Sequence, residues 1–343
     1  MGVVQRLNTI STTGATGHAS SGSVDRSTCP PSHLHYFPLG TYYIRATSVF
    51  SSRANDAVEL ETQDMFVVTG ATGNVGRSLS SILARSGAAV TAVSRGRRPV
   101  AVPDGVRHYR ADLERPESLG PALAGAEALF LLVEGSGANL DMPEILQVAT
   151  AGGVKRIVLQ SSQAVGTRPG SASHAPLHAI EDLVSRSGLG WTILRPGGFA
   201  SNAFAWAESV RAGRTVAAPF GDVGLPVVDP DDIAEVAAVA LRDGAHDGRT
   251  YELTGPALST PRERVADLAA ALGEPIGFVE QTPDQAREQM LRFMPPPVVE
   301  GTLAILGAPT EREQQISPDV AGVLGRSPRP FAAWAARNID AFR

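Results

Sequence analysis

The residues of this sequence that most directly suggest a chemical role are three glycines spaced three residues apart. Gly70, Gly73 and Gly76 follow a short apolar run, residues 66–68. Apolar residues at helical spacing come next, namely Val75, Leu79, Ile82 and Leu83. A glycine-rich turn that opens a helix can bind a phosphate group, because backbone N–H groups reach an anion only where side chains leave room.

The order of the surrounding elements supports that interpretation. Gly87 ends the predicted helix and a second β-branched run follows at residues 90–93, which gives strand, turn, helix and strand. In such a unit the first glycine permits the tight turn, the second lets the backbone approach a pyrophosphate, and the third brings the helix close to the strand. The unit therefore predicts a nucleotide site. The alternative is a glycine-rich turn with no ligand.

The end of the second strand bears on which dinucleotide would bind. An acidic residue about 20 residues past the glycines would bind the ribose 2′-hydroxyl of NAD. This chain has Ser94 and Arg95 there, followed by Arg97 and Arg98. A carboxylate repels a 2′-phosphate, whereas a guanidinium can pair with it bidentately. We therefore expect NADP(H), preferred over NAD(H). The alternative is that these arginines form a solvated loop.

The elements that must position these residues alternate between strand and helix. Residues 128–133 form a continuous apolar run, which is typical of a central parallel strand buried on both faces. Further strands are predicted at residues 107–109, 155–159 and 190–196, and a short one at residues 227–228 before an Asp-capped helix. The pattern predicts an α/β protein with a doubly wound parallel-sheet Rossmann fold and a smaller C-terminal α/β lobe.

The chain divides into three expected parts. Residues 1–64 are rich in Ser, Thr, Gly and Ala without periodicity, so we expect a disordered extension or a start codon assigned too far upstream of Met65. A transit peptide is the alternative for this segment. Residues 65–220 are expected to form the NADP-binding Rossmann domain. Residues 221–343 are expected to hold the last Rossmann elements and the C-terminal substrate lobe.

Composition excludes several classes of protein. The chain has 343 residues, a formal net charge of −5 and one cysteine, Cys29, so neither a general nucleic-acid binder nor a disulfide framework is indicated. No apolar run reaches the roughly 18 residues of a membrane helix. We expect a cytoplasmic protein whose partner is a small-molecule substrate, with no nucleic acid, no membrane and no metal.

The glycine spacing from Thr69 to Gly76 resembles that of the extended and atypical short-chain dehydrogenase/reductases, particularly the NmrA-like group. The resemblance runs from about Met65 to the C-terminus. It implies a Rossmann fold, an NAD(P) cofactor and a C-terminal lobe that covers the substrate. With the arguments above, the cofactor-binding candidates are Gly70, Thr72, Gly73, Asn74, Val75, Gly76, Ser94, Arg95, Arg98, Asp112, Leu113, Val133, Glu134 and Pro196.

The chain departs from the better-known pattern at the proton donor. A typical short-chain reductase uses a Tyr with a Lys four residues later, but the only lysine here is Lys155 and no tyrosine precedes it by four. In the resembled family the end of the fifth strand has a serine that binds a substrate carbonyl, which makes Ser161 and Ser162 catalytic candidates. His178 is a third candidate, because histidine titrates near neutrality. The alternative for His178 and the nearby His174 is a surface loop and helix start.

Four further residues are candidates for contact with the substrate. Ser136 follows the fourth strand at the edge where open α/β sheets bind ligands. Phe199, Phe204 and Trp206 lie just past the sixth strand. They could wall a pocket for a flat apolar substrate, or they could be core between the two lobes.

We expect an NADPH-dependent reductase of the ketoreductase or quinone-reductase type. The resemblance implies an aromatic or polyketide-like carbonyl substrate in secondary metabolism, such as antibiotic biosynthesis. The alternative is an NmrA-like regulator that senses NADP(H) without turnover. An isomerase or epimerase on the same scaffold is harder to reconcile with the missing Tyr–Lys pair.

Overall fold

A parallel sheet organises the protein in a computed structural model that describes residues 64–96, 101–133, 135 and 137–343. Within these residues, seven parallel strands form the main sheet in the order β3-β2-β1-β4-β5-β6-β8, and β7 pairs with β9 in a second sheet. The strands are β1 (Met65–Val68), β2 (Ala89–Ser94), β3 (Val106–Arg110), β4 (Ala128–Leu132), β5 (Arg156–Gln160), β6 (Gly190–Pro196), β7 (Thr215–Pro219), β8 (Arg249–Leu253) and β9 (Gly277–Gln281). The predictions for residues 1–63, Arg98, Glu134 and Ser136 fall outside the described residues.

The sequence of the central strands explains why both faces of the sheet are covered. All five residues of β4 are buried, as its unbroken apolar run predicts. Phe66 of β1 pairs with Ala128 of β4, and Leu129 of β4 pairs with Ile157 of β5. Because these neighbours are parallel, their C-terminal ends meet at one edge of the sheet. The glycine-rich turn, Ser94 and Ser161 therefore share that edge.

Helices cover the sheet in two layers. They are α1 (Asn74–Arg85), α2 (Gly120–Leu123), α3 (Met142–Gly152), α4 (Gln163–Thr167), α5 (Ala175–Ser185), α6 (Ala207–Gly213), α7 (Pro230–Arg242), α8 (Pro261–Leu272), α9 (Pro283–Leu291), α10 (Pro296–Gly307), α11 (Glu311–Gln314), α12 (Asp319–Leu324) and α13 (Phe331–Asn338). Apolar residues of α1, α7 and α12 pack on one face of the main sheet, and those of α2, α3 and α5 pack on the other. The doubly wound α/β fold is confirmed.

A second core belongs to the C-terminal lobe. It joins the short 3₁₀ segment Ala200–Trp206 and β7 to α8 and to the final helix, through residues such as Val216, Leu268 and Trp334. The chain leaves the main sheet after β6, builds part of this lobe, and returns to the main sheet through α7 and β8. The boundary at residue 220 stays a prediction.

One strand prediction in this region was wrong, and one strand was not predicted. Residues 227–228 form no strand, and Val228 makes only one isolated bridge, to Phe199. Pro226 and Pro230 flank the segment, and neither has an N–H to extend a ladder. The strand β7, which the sequence analysis did not predict, has the sequence TVAAP, with alanines and a proline in place of the β-branched run that indicates a strand.

No helix within the described ranges is long and apolar enough to cross a membrane.

Candidate cofactor and substrate site

The glycine-rich turn has the geometry that its three glycines predict at two positions. Gly70 has a φ of 60°, in the left-handed region that favours glycine. A Cβ on Gly76 would lie 2.4 Å from the carbonyl oxygen of Gly70, so α1 can pack against the turn only without a side chain there. Thr69 fixes the turn to the neighbouring strand, because its Oγ1 donates to the carbonyl of Phe130 at 3.0 Å and accepts from the N–H of Leu132 at 2.8 Å.

The start of α1 has the features of an anion site. Gly73 is its N-cap and has no side chain to satisfy the first N–H groups of the helix. The first turn contains no acidic residue, so the positive end of the helix dipole is not neutralised there. Gly73 is buried, whereas Thr72 is exposed and Asn74 is half-buried. These residues fit the pyrophosphate of a dinucleotide.

A cleft of about 270 Å³ opens beside this turn. Its walls come from the glycine-rich turn with α1, the 3₁₀ segment, the start of α7 and the C-terminal helix α13. The lining residues are Thr72, Gly73, Asn74, Arg77, Ser78, Ser201, Phe204, Asp229, Pro230, Asp231, Trp334, Arg337 and Asn338. Segments far apart in the sequence therefore meet where the phosphates of a dinucleotide would lie.

The end of β2 contacts a residue of β3, His108, that the sequence analysis missed. Ser94 Oγ lies 2.8 Å from Nε2 of His108 on the adjacent strand β3. Arg95 follows directly and is exposed. The region thus has a hydroxyl, an imidazole and a guanidinium, and residues 94–96 include no acid. The signal for His108 was its place in the strand predicted to lie next to the second strand.

The other cofactor candidates occupy the same edge of the sheet. The carboxylate of Asp112 accepts from the N–H of Glu114 at 3.2 Å and pairs with Arg115 at 3.8 Å, which shapes the turn after β3. Leu113 and Val133 are half-buried against the core on the α3 and α5 side of the sheet. Pro196 is the buried last residue of β6. Their contacts with a cofactor stay predictions.

The end of β5 holds two buried hydrogen-bond donors without partners. Ser161 is 5% exposed, and its Oγ has no hydrogen-bond partner within the described residues. Gln163 is 6% exposed, and its Nε2 is equally without a partner there. Its Oε1 lies 3.1 Å from the position that a Cβ on Gly197 would take, which places the amide beside the end of β6. Buried polar groups are almost always paired, so an unpaired donor pair at a ligand-binding edge indicates a ligand site.

A catalytic role for Ser162 stays a prediction, but its hydroxyl already has a structural contact. Its Oγ accepts from the N–H of Ala164 at 3.3 Å and caps α4. Gln163, which the sequence analysis did not select, is the residue beside Ser161 with a free buried donor. The two serines at the strand end were the available signal. The local backbone decides which of their side chains points away from the start of the helix.

The two histidines lie at the start of α5. His178 is exposed in the first turns of the helix. His174 is the N-cap residue, and its Nδ1 lies 2.9 Å from Ser173 Oγ. Burial lowers the pKa of His174, although the nearby Glu313 carboxylate acts in the opposite direction. A catalytic role for His178 stays a prediction.

The three aromatic candidates pack against two different cores, Phe199 against one and Phe204 and Trp206 against the other. Phe199 is half-buried against the core on the α1 and α7 side of the main sheet. Phe204 makes an edge contact with Trp334 at 4.9 Å between ring centroids, and it also lines the cleft. Trp206 lies under the guanidinium of Arg264 at 5.6 Å. A shared role as a substrate wall stays a prediction.

The C-terminal lobe is fixed to the substrate side of the sheet by a buried ion pair. Arg168, just after α4, donates from Nε to Glu313 at 2.7 Å, and Thr167 donates to the same carboxylate at 3.0 Å. Burial alone would raise the pKa of Glu313, but hydrogen bonds from Arg168, the Thr310 N–H and Thr167 hold the pKa below its ordinary value. Helix α10 lies close to the loop before α5, because a Cβ on Gly301 would lie 2.7 Å from Ser173 Oγ.

Comparison with known proteins agrees with this geometry. A family model described as NAD(P)H-binding matches residues 70–244. A reductase of (4-alkanoyl-5-oxo-2,5-dihydrofuran-3-yl)methyl phosphate from Streptomyces griseus is 35% identical over 281 residues, which is 81% of this chain and 99% of that protein. An NAD(P)H azoreductase from Xenophilus azovorans is 29% identical over 81% of this chain and 99% of its own.

A solved structure shows the same fold at lower identity. The NADPH-dependent quinone oxidoreductase of Escherichia coli, solved with NADPH, superposes with a TM-score of 0.65 at 22% identity and covers 80% of this chain and 99% of its own. The expected family and the expected class of reaction are therefore confirmed. The chain belongs to the NAD(P)H-binding family that the family model describes, and it is an NAD(P)H-dependent oxidoreductase.

Proposed function

We propose that this protein is an NADPH-dependent reductase of small conjugated carbonyl compounds in secondary metabolism, of the ketoreductase or quinone-reductase type. The observation that supports this most directly is the buried, unpartnered donor pair, Ser161 Oγ and Gln163 Nε2, at the end of β5. In this proposal both donors bind one carbonyl oxygen and stabilise the negative charge that develops on it during reduction. The chain has no Tyr–Lys pair to protonate that oxygen directly.

The relatives support a conjugated acceptor. The name of the Streptomyces griseus reductase's substrate describes a carbon–carbon double bond next to two carbonyl groups. The other two proteins are named for azo compounds and quinones. In each of these acceptors the charge left by hydride addition is delocalised, so a strong side-chain acid is not required. A saturated ketone would instead leave a localised alkoxide, which needs such an acid.

The proposed reaction is a two-electron reduction. A dinucleotide held by the glycine-rich turn and the end of β2 would supply a hydride to the electrophilic carbon of the conjugated system, and it would be oxidised in return. Ser161 and Gln163 hold the carbonyl oxygen through hydrogen bonds, and the C-terminal lobe restricts access of water. One proton from solvent then completes the reduction at the other end of the former double bond.

We further propose that NADPH is preferred to NADH. Ser94, Arg95 and His108 offer donors where a 2′-phosphate would lie, and a guanidinium suits a phosphate better than a ribose hydroxyl. A carboxylate, which binds the ribose of NAD in many Rossmann proteins, is missing from residues 94–96.

The direct test is NADPH oxidation by the purified protein with three acceptors. These are an acyl butenolide, a quinone and a saturated aliphatic ketone of similar size. We expect oxidation with the first two and at least about a hundredfold slower turnover with the third, which is the typical value of general acid catalysis. Equal rates with the saturated ketone would contradict the conjugated-acceptor proposal. No oxidation with any acceptor, despite tight NADPH binding, would favour the dinucleotide-sensing regulator.

A further inference from the structure

The C-terminal helix α13 forms a wall of the cleft beside the glycine-rich turn. Trp334, Arg337 and Asn338 line that wall, opposite Thr72 and Gly73. Asn338 Nδ2 donates to the carbonyl of Trp334 at 2.8 Å, which holds the end of the helix in shape. Helix α13 therefore lies where it can contact a ligand bound at the glycine-rich turn.

Two carboxylates at the start of α7 face the same cleft. Asp229 is 1% exposed and caps α7 by accepting from the N–H of Asp231 at 3.0 Å. Asp231 in turn accepts from Ser78 Oγ of α1 at 2.6 Å. Burial raises the pKa of Asp229 and the adjacent Asp231 adds to the rise, while hydrogen bonds from Arg337 and the Asp231 N–H act against it. Two negative charges here would repel the phosphates of a dinucleotide.

Arg337 neutralises this pair from the opposite wall. Its Nη2 contacts Asp229 Oδ2 and lies 3.2 Å from Asp231 Oδ2. Within the described part of the chain, no other basic side chain forms an ion pair with either carboxylate. One guanidinium from the C-terminal helix thus offsets the charge of two acids beside the cofactor helix.

A buried hydroxyl in the same cleft lacks a partner. Ser201 is 1% exposed, lines the cleft, and its Oγ has no hydrogen-bond partner within the described residues. Because buried hydroxyl groups are normally paired, this donor indicates a ligand atom in the cleft. The first N–H groups of α1, which face the same space, favour an anionic ligand.

We propose that the pyrophosphate site extends across this cleft to the C-terminal helix. Ser201 Oγ donates a hydrogen bond to the diphosphate, and Arg337 is a positioning residue that keeps Asp229 and Asp231 from repelling it. The ligand class is the diphosphate ester common to NADPH and NADH, so neither residue discriminates between the two cofactors. The inference rests on the cofactor placement proposed above, with the pyrophosphate at the glycine-rich turn.

Calorimetric titration of purified variants with NADPH and with NADH tests this proposal. We expect Arg337→Ala to weaken both cofactors by the same factor, about tenfold to a hundredfold, as for loss of a charged interaction. The double variant Arg337→Ala/Asp231→Asn also lacks one acid. It should bind both cofactors about tenfold more tightly than Arg337→Ala does. Ser201→Ala should weaken both cofactors about threefold to tenfold without lowering the melting temperature. Arg343→Ala is the matched control, because Arg343 pairs with the exposed Asp340 and forms no other ion pair among the described residues.

The outcomes separate this inference from the proposed function. Unchanged affinity in Arg337→Ala and Ser201→Ala, with wild-type affinity intact, would overturn the extended site and leave the reductase proposal standing. No affinity of the wild-type protein for either dinucleotide would contradict the reductase proposal itself. If Arg337→Ala fails to fold, Arg337→Lys and Asp231→Asn decide the question: we expect near wild-type binding in the first and tighter binding in the second, and weaker binding in both would overturn the proposal.

Discussion

Ser94 Oγ and His108 Nε2 lie 2.8 Å apart and link the end of β2 to the middle of β3. The serine is the residue at which many dinucleotide-binding proteins have an acid. The histidine lies on the next strand, two residues before Arg110, which is the residue paired with Ser94. Together with Arg95 they form a surface that suits a phosphate. It offers no carboxylate to bind the hydroxyl groups of a ribose. The proposed preference for NADPH rests on this corner of the sheet.

The first prediction concerns Arg95. Arg95→Asp should weaken NADPH binding about tenfold to a hundredfold, since a charge-assisted hydrogen bond is worth roughly 1.5–3 kcal/mol. NADH binding should change much less, because it lacks the 2′-phosphate. Calorimetry with both cofactors measures the difference, with Arg85→Asp at the far end of α1 as the control for charge. Equal weakening of both cofactors would make Arg95 a structural residue.

The second prediction contrasts two helical glycines. Gly76→Ala should destabilise the protein by about 1–3 kcal/mol or more, because its Cβ would lie 2.4 Å from a backbone oxygen. Gly322→Ala in α12 should instead stabilise it by about 0.5–1 kcal/mol, since nothing lies within 4 Å of the position that the new Cβ would take. Chemical denaturation of both variants gives the two free energies of unfolding. A Gly76→Ala variant that is as stable as the wild-type protein or more stable would contradict the close packing of α1 against the turn.

The third prediction separates activity from stability at the end of β5. Ser161→Ala removes a buried donor without a partner, so the free protein should become more stable by about 1 kcal/mol while turnover falls less than about a hundredfold. Ser162→Ala should do the opposite, losing about 1 kcal/mol of stability with the α4 cap and little activity. Thermal melts and NADPH oxidation rates are the two measurements. A loss of stability in Ser161→Ala would show that its hydroxyl has a structural partner.

The fourth prediction concerns pH. The pKa of Glu313 is held below its ordinary value, so its ionised form stabilises the fold above the unfolded-state pKa of about 4.3, and this contribution is lost as the pH falls further. Glu313→Gln should cost on the order of 3 kcal/mol at pH 7 and should flatten the loss of stability below about pH 5. Glu300→Gln, which breaks an exposed pair with Arg287, is the control and should change little. If stability falls below about pH 5 as steeply in Glu313→Gln as in the wild-type protein, other carboxylates cause the pH dependence.

Local sequence was enough to predict the first half of the fold. The β1–α1–β2 unit and the buried strand β4 each follow from a local pattern of residues. The strand β7 could not be predicted in this way, because it depends on pairing with the distant strand β9. The short segment 227–228 misled for the opposite reason, since its valines indicate a strand that the flanking prolines prevent.

Residues of the site could be predicted from the sequence only where they belong to one local motif. The glycine-rich turn, Ser94 and Ser161 follow directly from strand ends. His108, Ser201 and Arg337 were missed because they reach the site from separate elements, and only the folded chain brings them together. Gln163 was missed because its free amide can be recognised only once the partners of every buried donor are known.

In the proposed reaction a hydride moves directly to a conjugated acceptor and the proton comes from solvent. Reduction of an acyl butenolide with NADPH dideuterated at C4, in ordinary water, tests this when the deuterium in the product is located by mass spectrometry and NMR. We expect one deuterium, on the carbon farther from the acyl group, and ordinary hydrogen on the neighbouring carbon. A product without deuterium, or NADPH left unoxidised, would contradict it.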